Sequence, residues 1–282
     1  MIDTHVHIIR PDLFAYPWIE SIDALQRSFT IEAYCDRAVA IGITKAVLME
    51  VDVDVSDQRA EARHFRQCSM ADHPLDIRYV ASGRPELDDF ERHLDAIDDP
   101  VLAGVRRVFH VAPAEAIHSA ALAGNLRLLG RRGLVFDLCV RPDQLADATR
   151  LVDGAPDTQF VLDHCGNPPV ATDAYPLWKS DLLVLAERPN VCVKVSGLVN
   201  NLPPEGGAID QLRPVLDHTV RAFGLDRMMF GGDWPVSLLA GYELADWVAI
   251  FRDLTAEWNE QPRDTVYSDV AERVYFSRDW KG

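Results

Sequence analysis

Short apolar, β-branched runs alternate with longer stretches of helical period from one end of the 282-residue chain to the other. Such alternation is the mark of βα units built around a parallel sheet. The runs predict strands over residues 2–6, 43–50, 77–81, 102–109, 133–140, 159–163, 190–196 and 227–232. Helical periodicity covers 31–41, 57–71, 87–97, 115–130, 143–153, 176–187, 209–223 and 243–257. Thr30 before IEAY and Ser56 before DQRAEARHF suit helix starts, because a side-chain oxygen there can accept an N–H that has no partner in the first turn.

Eight βα units in about 250 residues match the size of a (β/α)8 barrel, whereas a doubly wound sheet would have fewer strands or a second domain. No Gly/Ser-rich linker or composition shift divides the chain, so residues 1–282 are expected to form one domain. The tail from Pro262 to Gly282 places Val266, Val270 and Val274 four apart and predicts an extra, structural helix. Two connections exceed what a minimal barrel needs, residues 8–29 and 164–175. Both follow strand C-terminal ends, where the active sites of such barrels lie.

Composition narrows the function. Hydrophobic residues make up 48% and charged residues 26%, as in a folded globular chain rather than a disordered one. The formal charge of −16 repels phosphate backbones and anionic headgroups, which argues against nucleic acid or a membrane surface as partner. The cysteines, 35, 68, 139, 165 and 192, are odd in number and lack zinc-finger spacing, which suits a reducing compartment. The first nine residues, MIDTHVHII, have neither the basic start nor the apolar stretch of a signal peptide, so a cytoplasmic protein is expected. Oligomeric state is left open.

Chemistry concentrates at three strand ends. The first strand reads Asp3-Thr4-His5-Val6-His7, and residues two apart on a strand share a face, so His5 and His7 converge. The sixth strand runs from Phe160 through Asp163 into His164, and the eighth ends Gly231-Gly232-Asp233-Trp234-Pro235. His5, His7, His164 and Asp233 together form a nitrogen and oxygen donor set suited to one divalent ion, zinc or manganese. The same residues can also work without metal, as hydrogen-bonding and proton-transfer groups.

The segments IDTHVHII, YPWI, LAGVRR, FVLDHCGNPP, VCVKVSGL and MMFGGDWPVS, in this order, resemble the amidohydrolase superfamily. More narrowly, they are similar to its sugar lactonase branch, which includes fuconolactonase, rhamnonolactonase and pyrone-dicarboxylate lactonase. The resemblance implies a (β/α)8 hydrolase of lactone rings with His5, His7, His164 and Asp233 in its active-site motif. Members of this branch differ in their need for metal. Strand five ends FDLCV, with no His or obvious bridging acid, and Lys194 belongs to the seventh strand, so at most one metal is expected.

Other residues are candidates by position. Of Arg106 and Arg107, the family pattern favours Arg106 as the inward one, forking onto a substrate carboxylate or ring oxygen. His110 lies three residues beyond this pair. Lys194, within an apolar strand, either meets substrate or forms an ion pair, since a free buried ammonium is costly. Glu50 and Asp52 share a face after strand two and are either sugar contacts or solvated acids. Tyr16, Trp18 and Trp234 are either covers for a sugar ring or anchors. Cys165 has no base of its own, and His64, His73, His93, His118 and His218 fall away from the strand ends. The expected reaction is hydrolysis of a sugar-derived or related lactone, aldonolactone to aldonic acid, with Asp233 as base for water, His164 on the oxyanion, and His5 and His7, with or without a metal, polarising the lactone or the water. A lactone isomerase or a metal-dependent decarboxylase on the same barrel is the alternative.

Overall fold

The computed structural model describes residues 1–203 and 205–278. Eight parallel strands pair in chain order: β1 (Ile2–Val6), β2 (Lys45–Met49), β3 (Asp76–Ser82), β4 (Leu102–Val108), β5 (Val135–Cys139), β6 (Phe160–Leu162), β7 (Val191–Val195) and β8 (Met228–Phe230). Where β8 meets β1, the Thr4 hydroxyl donates to the Phe230 carbonyl at 2.6 Å, Asp233 N–H donates to the His5 carbonyl at 2.7 Å, and His7 N–H to that of Trp234 at 2.8 Å. These bonds close the sheet into a (β/α)8 barrel and tie two predicted site segments together.

Helices α1 (Ile31–Ala40), α2 (Gln58–Met70), α3 (Phe90–Ile97), α4 (Leu122–Arg131), α5 (Leu145–Asp153), α6 (Tyr175–Ala186), α7 (Ala208–Phe223) and α8 (Leu244–Leu254) follow their strands in turn. Thr30 caps α1, its hydroxyl accepting from Ala33 N–H. Ser56 does not cap α2. The Asp54 carboxylate takes both the N–H and the hydroxyl of Ser56, because an ionised acceptor outcompetes a hydroxyl. The helix expected over 115–130 is broken, with a short turn at Ala116–His118 and α4 beginning only at Leu122. Between them the Ser119 hydroxyl donates to the Glu86 carbonyl and its backbone leaves helical geometry.

The large apolar core lies between the strands and the helix ring, with Phe65, Phe136, Phe160, Trp178, Trp247 and Phe251 among its buried side chains. A second cluster closes the N-terminal end of the barrel. There the final helix, α9 (Glu260–Asp264), continues into π-wound turns at Thr265–Asp269 and Glu272–Phe276. Its Val270, Ala271 and Tyr275 pack on Ile2, Val47, Val80, Val135, Val161 and Met229. Val266 is buried as well, and Val274 is half-buried. Residues 279–282 of the predicted tail lie outside the described residues. Lys45 Nζ meets Glu272 at 2.8 Å, pinning this plug to the start of β2. No helix among the described residues is long and apolar enough to cross a membrane. All five cysteines are buried and unpaired.

Candidate active site

At the C-terminal mouth of the barrel, a cavity of about 230 Å³ is lined by His7, Trp18, Asp52, Arg106, His110, Cys139, His164, Asn167, Gly197, Asn200, Asn201 and Asp233, with several valines. The backbone that carries its polar groups is strained. Asp52, His164, Cys165, Asn167 and Asp233 all have φ between 48° and 54°, a left-handed region that costs a non-glycine residue of order 1–3 kcal/mol. Strain of this kind holds a side chain where a relaxed turn would not put it. Gly197, at φ 63°, is the complementary case. A Cβ there would stand 2.6 Å from His164 Nδ1 and 2.7 Å from Asp233 Oδ2, so only glycine lets those two groups approach.

The predicted histidines converge with Asp233. The ring of His5 lies 4.9 Å from that of His7 and 4.5 Å from that of His164, centre to centre. Asp233 Oδ1 is 3.5 Å from His7 Nε2 and 3.7 Å from His5 Nε2, while Oδ2 accepts from Asn200 Nδ2 at 3.1 Å. Ligand atoms of His5, His164 and Asp233 lie within 4.8 Å of one another. His7 points the same way but falls outside that tight group.

Hydrogen bonding sets the tautomers. His7 Nδ1 is 3.1 Å from the Met49 carbonyl, which can only accept, so Nδ1 carries the proton and Nε2 offers a lone pair. His5 Nε2 is 3.3 Å from Arg106 Nη1, and a guanidinium can only donate, so His5 Nε2 also offers a lone pair. Both face Asp233 Oδ1. Arg106 occupies the His5 lone pair, so His7 Nε2 and Asp233 Oδ1, 3.5 Å apart, are two acceptors facing each other, which calls for a cation or a shared proton between them. His164 Nδ1 is held by Ser196 Oγ at 2.9 Å, a hydroxyl that serves either tautomer. Burial is the leading influence on both His5 and His164 and lowers their pKa, that of His5 well below the ordinary value, which keeps the rings neutral and able to ligate.

The substrate-contact candidates divide. Trp18, Arg106 and His110 line the cavity, and the Trp18 indole is fixed by donating to the Val51 carbonyl at 2.7 Å. Arg106 faces inward and Arg107 outward onto Glu86 at 2.8 Å. Glu50, Lys194 and Trp234 do not reach the cavity. Glu50 is buried and accepts from Arg106 Nε at 2.6 Å, while its own carbonyl accepts from Arg106 Nη2 at 2.6 Å. Lys194 lies deeper, 2.5 Å from Asp137 and 3.2 Å from Asp163, because a buried ammonium needs carboxylates more than it needs the mouth. Trp234 is buried against Phe29 and Tyr34. Tyr16 is an anchor, its hydroxyl accepting from Arg10 N–H at 3.0 Å, and Cys165 is fully buried with its thiol towards the Lys194 carbonyl.

Sequence reasoning missed Asp137, Asp163, Cys139 and the three asparagines of the lining. Strand five does carry an acid, Asp137, but it lies below the cavity, paired with Lys194. Its signal was present, since Asp137 and Cys139 are two apart in an otherwise apolar strand. The asparagines lie on loops and left no pattern.

A closed barrel with imidazole and carboxylate donors at its C-terminal mouth has the site where enzymes of this fold carry out their chemistry. The Amidohydrolase family model matches residues 2–276, and the chain belongs to that family and is a hydrolase. It is 32% identical to an L-fucono-1,5-lactonase of Burkholderia ambifaria over 72% of this chain and 63% of that enzyme. An L-fucono-1,5-lactonase of Burkholderia multivorans is 28% identical over 97% of this chain and 95% of its own. In fold, the chain superposes on a zinc-bound amidohydrolase from Burkholderia multivorans with a TM-score of 0.87 at 23% identity, covering 98% of each.

Proposed function

We propose that this hydrolase opens the ester bond of a neutral, hydroxyl-rich lactone of the sugar type by attack of water activated at Asp233. The observation that carries the reading is the meeting of His7 Nε2 and Asp233 Oδ1, two acceptors 3.5 Å apart at the cavity wall, with His5 Nε2, held by Arg106, beside them. Such a point binds a water and takes its proton. Asp233 Oδ1 is the base, steadied by the Asn200 amide on Oδ2. His164, held by Ser196, faces the carbonyl oxygen as negative charge develops there.

The donor set also fits one divalent ion of the zinc type, since neutral imidazoles and a carboxylate are what such an ion takes. His5, His164 and Asp233 would hold it, with His7 beside them; when bound it would polarise the carbonyl and ease deprotonation of water.

A neutral ring is favoured over a dicarboxylate because Arg106, the one guanidinium among the described lining residues, is already engaged, its Nε and Nη2 by Glu50 and its Nη1 by His5 and Asp163. The asparagine amides and Asp52 offer partners for hydroxyls. The test is proton release with ring opening on a panel of aldonolactones, beside a pyrone dicarboxylate, before and after chelation. Turnover of aldonolactones, falling on chelation if metal serves the site, is the expected result. Carbon dioxide release, or a shifted ring without uptake of water, would replace hydrolysis by decarboxylation or isomerisation.

A further inference from the structure

Beneath the cavity lies a run of buried polar groups that the proposed reaction does not use. The Tyr275 hydroxyl, rising from the plug helix, donates to Asp137 Oδ1 at 2.6 Å. Asp137 Oδ1 also receives Lys194 Nζ at 2.5 Å, and the same Nζ is 3.2 Å from Asp163 Oδ1. Asp163 Oδ1 in turn faces His5 Nδ1 at 3.4 Å. Every side chain in this run is at most 1% exposed. Arg106 Nη1, 3.5 Å from Asp163 Oδ2, adds a second cation opposite the two carboxylates.

Placing such a chain along a barrel axis is costly compared with an apolar layer, and the cost calls for a role. Two facts locate it. Neither Asp163 oxygen nor His5 Nδ1 has a formed hydrogen bond elsewhere, so they are the partners available to each other. Arg106 donates to His5 Nε2, which leaves the ring proton on Nδ1, the nitrogen that faces Asp163.

We infer that Asp163 is a positioning residue that holds His5 in its Nδ1–H tautomer, and that Lys194, Asp137 and Tyr275 hold Asp163. The plug helix thereby takes part in the geometry of a site at the opposite end of the barrel. Without Lys194, Asp137 would lose its cation and Asp163 would keep only Arg106; without the Tyr275 hydroxyl, Asp137 would lose one of the two groups that fix its place. The inference rests on the reading that His5 serves the site, but its test needs no turnover.

Histidine-selective ¹⁵N labelling of the full chain, read by long-range proton–nitrogen correlation, reports the tautomer of each ring. The His5 signals are those lost in His5→Gln. The wild type is expected to show His5 as Nδ1–H. In Asp163→Asn the carboxylate that fixes the Nδ1 proton is gone and the amide NH2 can donate to Nδ1, so the ring is expected to populate Nε2–H beside Nδ1–H, against the Arg106 donor that remains at Nε2. Tyr275→Phe, which removes one oxygen, is expected to move the His5 nitrogen shifts while those of surface histidines stay fixed, and thermal unfolding confirms that it is folded. An Nε2–H ring in the wild type overturns the inference, as does an unchanged tautomer in folded Asp163→Asn. Should Asp163→Asn not fold, Tyr275→Phe decides: His5 signals identical to wild type would reduce the plug to packing. Absence of lactone turnover with the His5 shifts as expected would sink the proposed substrate and leave this inference standing.

Discussion

At the floor of the barrel, Ile2, Val47, Val80, Val135, Val161 and Met229 meet Val270 and Ala271 in side chains that are all but dry, with right-handed helical backbone, π-wound on either side of Val270 and Ala271, facing the strands. At the mouth, five non-glycine residues sit in left-handed backbone, and the lone pair of His7 Nε2 faces Asp233 Oδ1, acceptor against acceptor. The apolar side chains of the floor follow the rules of packing, and the mouth breaks those of backbone and of hydrogen bonding. A fold that tolerates strain and unsatisfied acceptors in one place must over-determine that place from elsewhere. Here the plug, the closed sheet and the glycine at 197 supply the constraint. The comparison predicts that changes at the mouth alter chemistry more than stability, and changes at the floor the reverse.

The largest effect is expected for Asp233→Asn. Asparagine is isosteric and accepts the φ of 54° without added strain, so the fold should melt close to wild type. Loss of the base should reduce turnover by about 10²–10⁴-fold. Steady-state hydrolysis beside a melting curve checks both. Turnover within a few-fold of wild type would remove Asp233 from the base role, and a collapse in melting temperature would show the mouth to be structural.

Gly197→Ala comes next and affects both quantities. The new methyl cannot coexist with His164 Nδ1 at 2.6 Å and Asp233 Oδ2 at 2.7 Å, so the two groups must part. The left-handed φ of 63° adds a cost of order 1–3 kcal/mol in urea unfolding, and activity should fall with it. At the floor, Val270→Ala leaves a void beneath the barrel and should cost about 2 kcal/mol while kcat and KM stay as they were. A drop in kcat of the folded Val270→Ala protein would mean that the floor packing, and not only the polar run through Tyr275, reaches the site.

The same contrast explains what could be read from the sequence. Strand and helix runs follow hydrophobic period, a local property, so the barrel and its plug helix were legible. His5, His7, His164 and Asp233 were legible because each stands at a strand end, where position alone decides direction. Lys194 was read as either substrate contact or ion pair, and the choice depended on Asp137 and Asp163, which lie on other strands at depths that strand pattern does not report. Glu50 and Trp234 have the right residue types near the right ends, yet one turns onto Arg106 and the other into the seam between loop and helix. The cavity asparagines owe their place to left-handed turns and loop closure, which no periodicity encodes.

The seam between mouth and floor offers the smallest test. Asp3 is buried in the wall, its carboxylate accepting from His5 N–H at 3.0 Å, Gly232 N–H at 2.6 Å and the Tyr34 hydroxyl at 2.9 Å. Burial outweighs these donors and raises its pKa from 3.8 to about 6. Between these two values the folded protein keeps a proton that the unfolded chain has released. Unfolding then releases a proton, so the contribution of Asp3 to stability is full below pH 3.8, declines as pH rises to about 6, and is flat above. For one proton the slope cannot exceed about 1.4 kcal/mol per pH unit. Urea unfolding of wild type and Asp3→Asn across that window isolates the slope, because every other titrating group is common to both. If the two stability curves run parallel from pH 4 to 7, Asp3 is ionised throughout, and the three donors rather than burial govern the seam that joins β1 to β8.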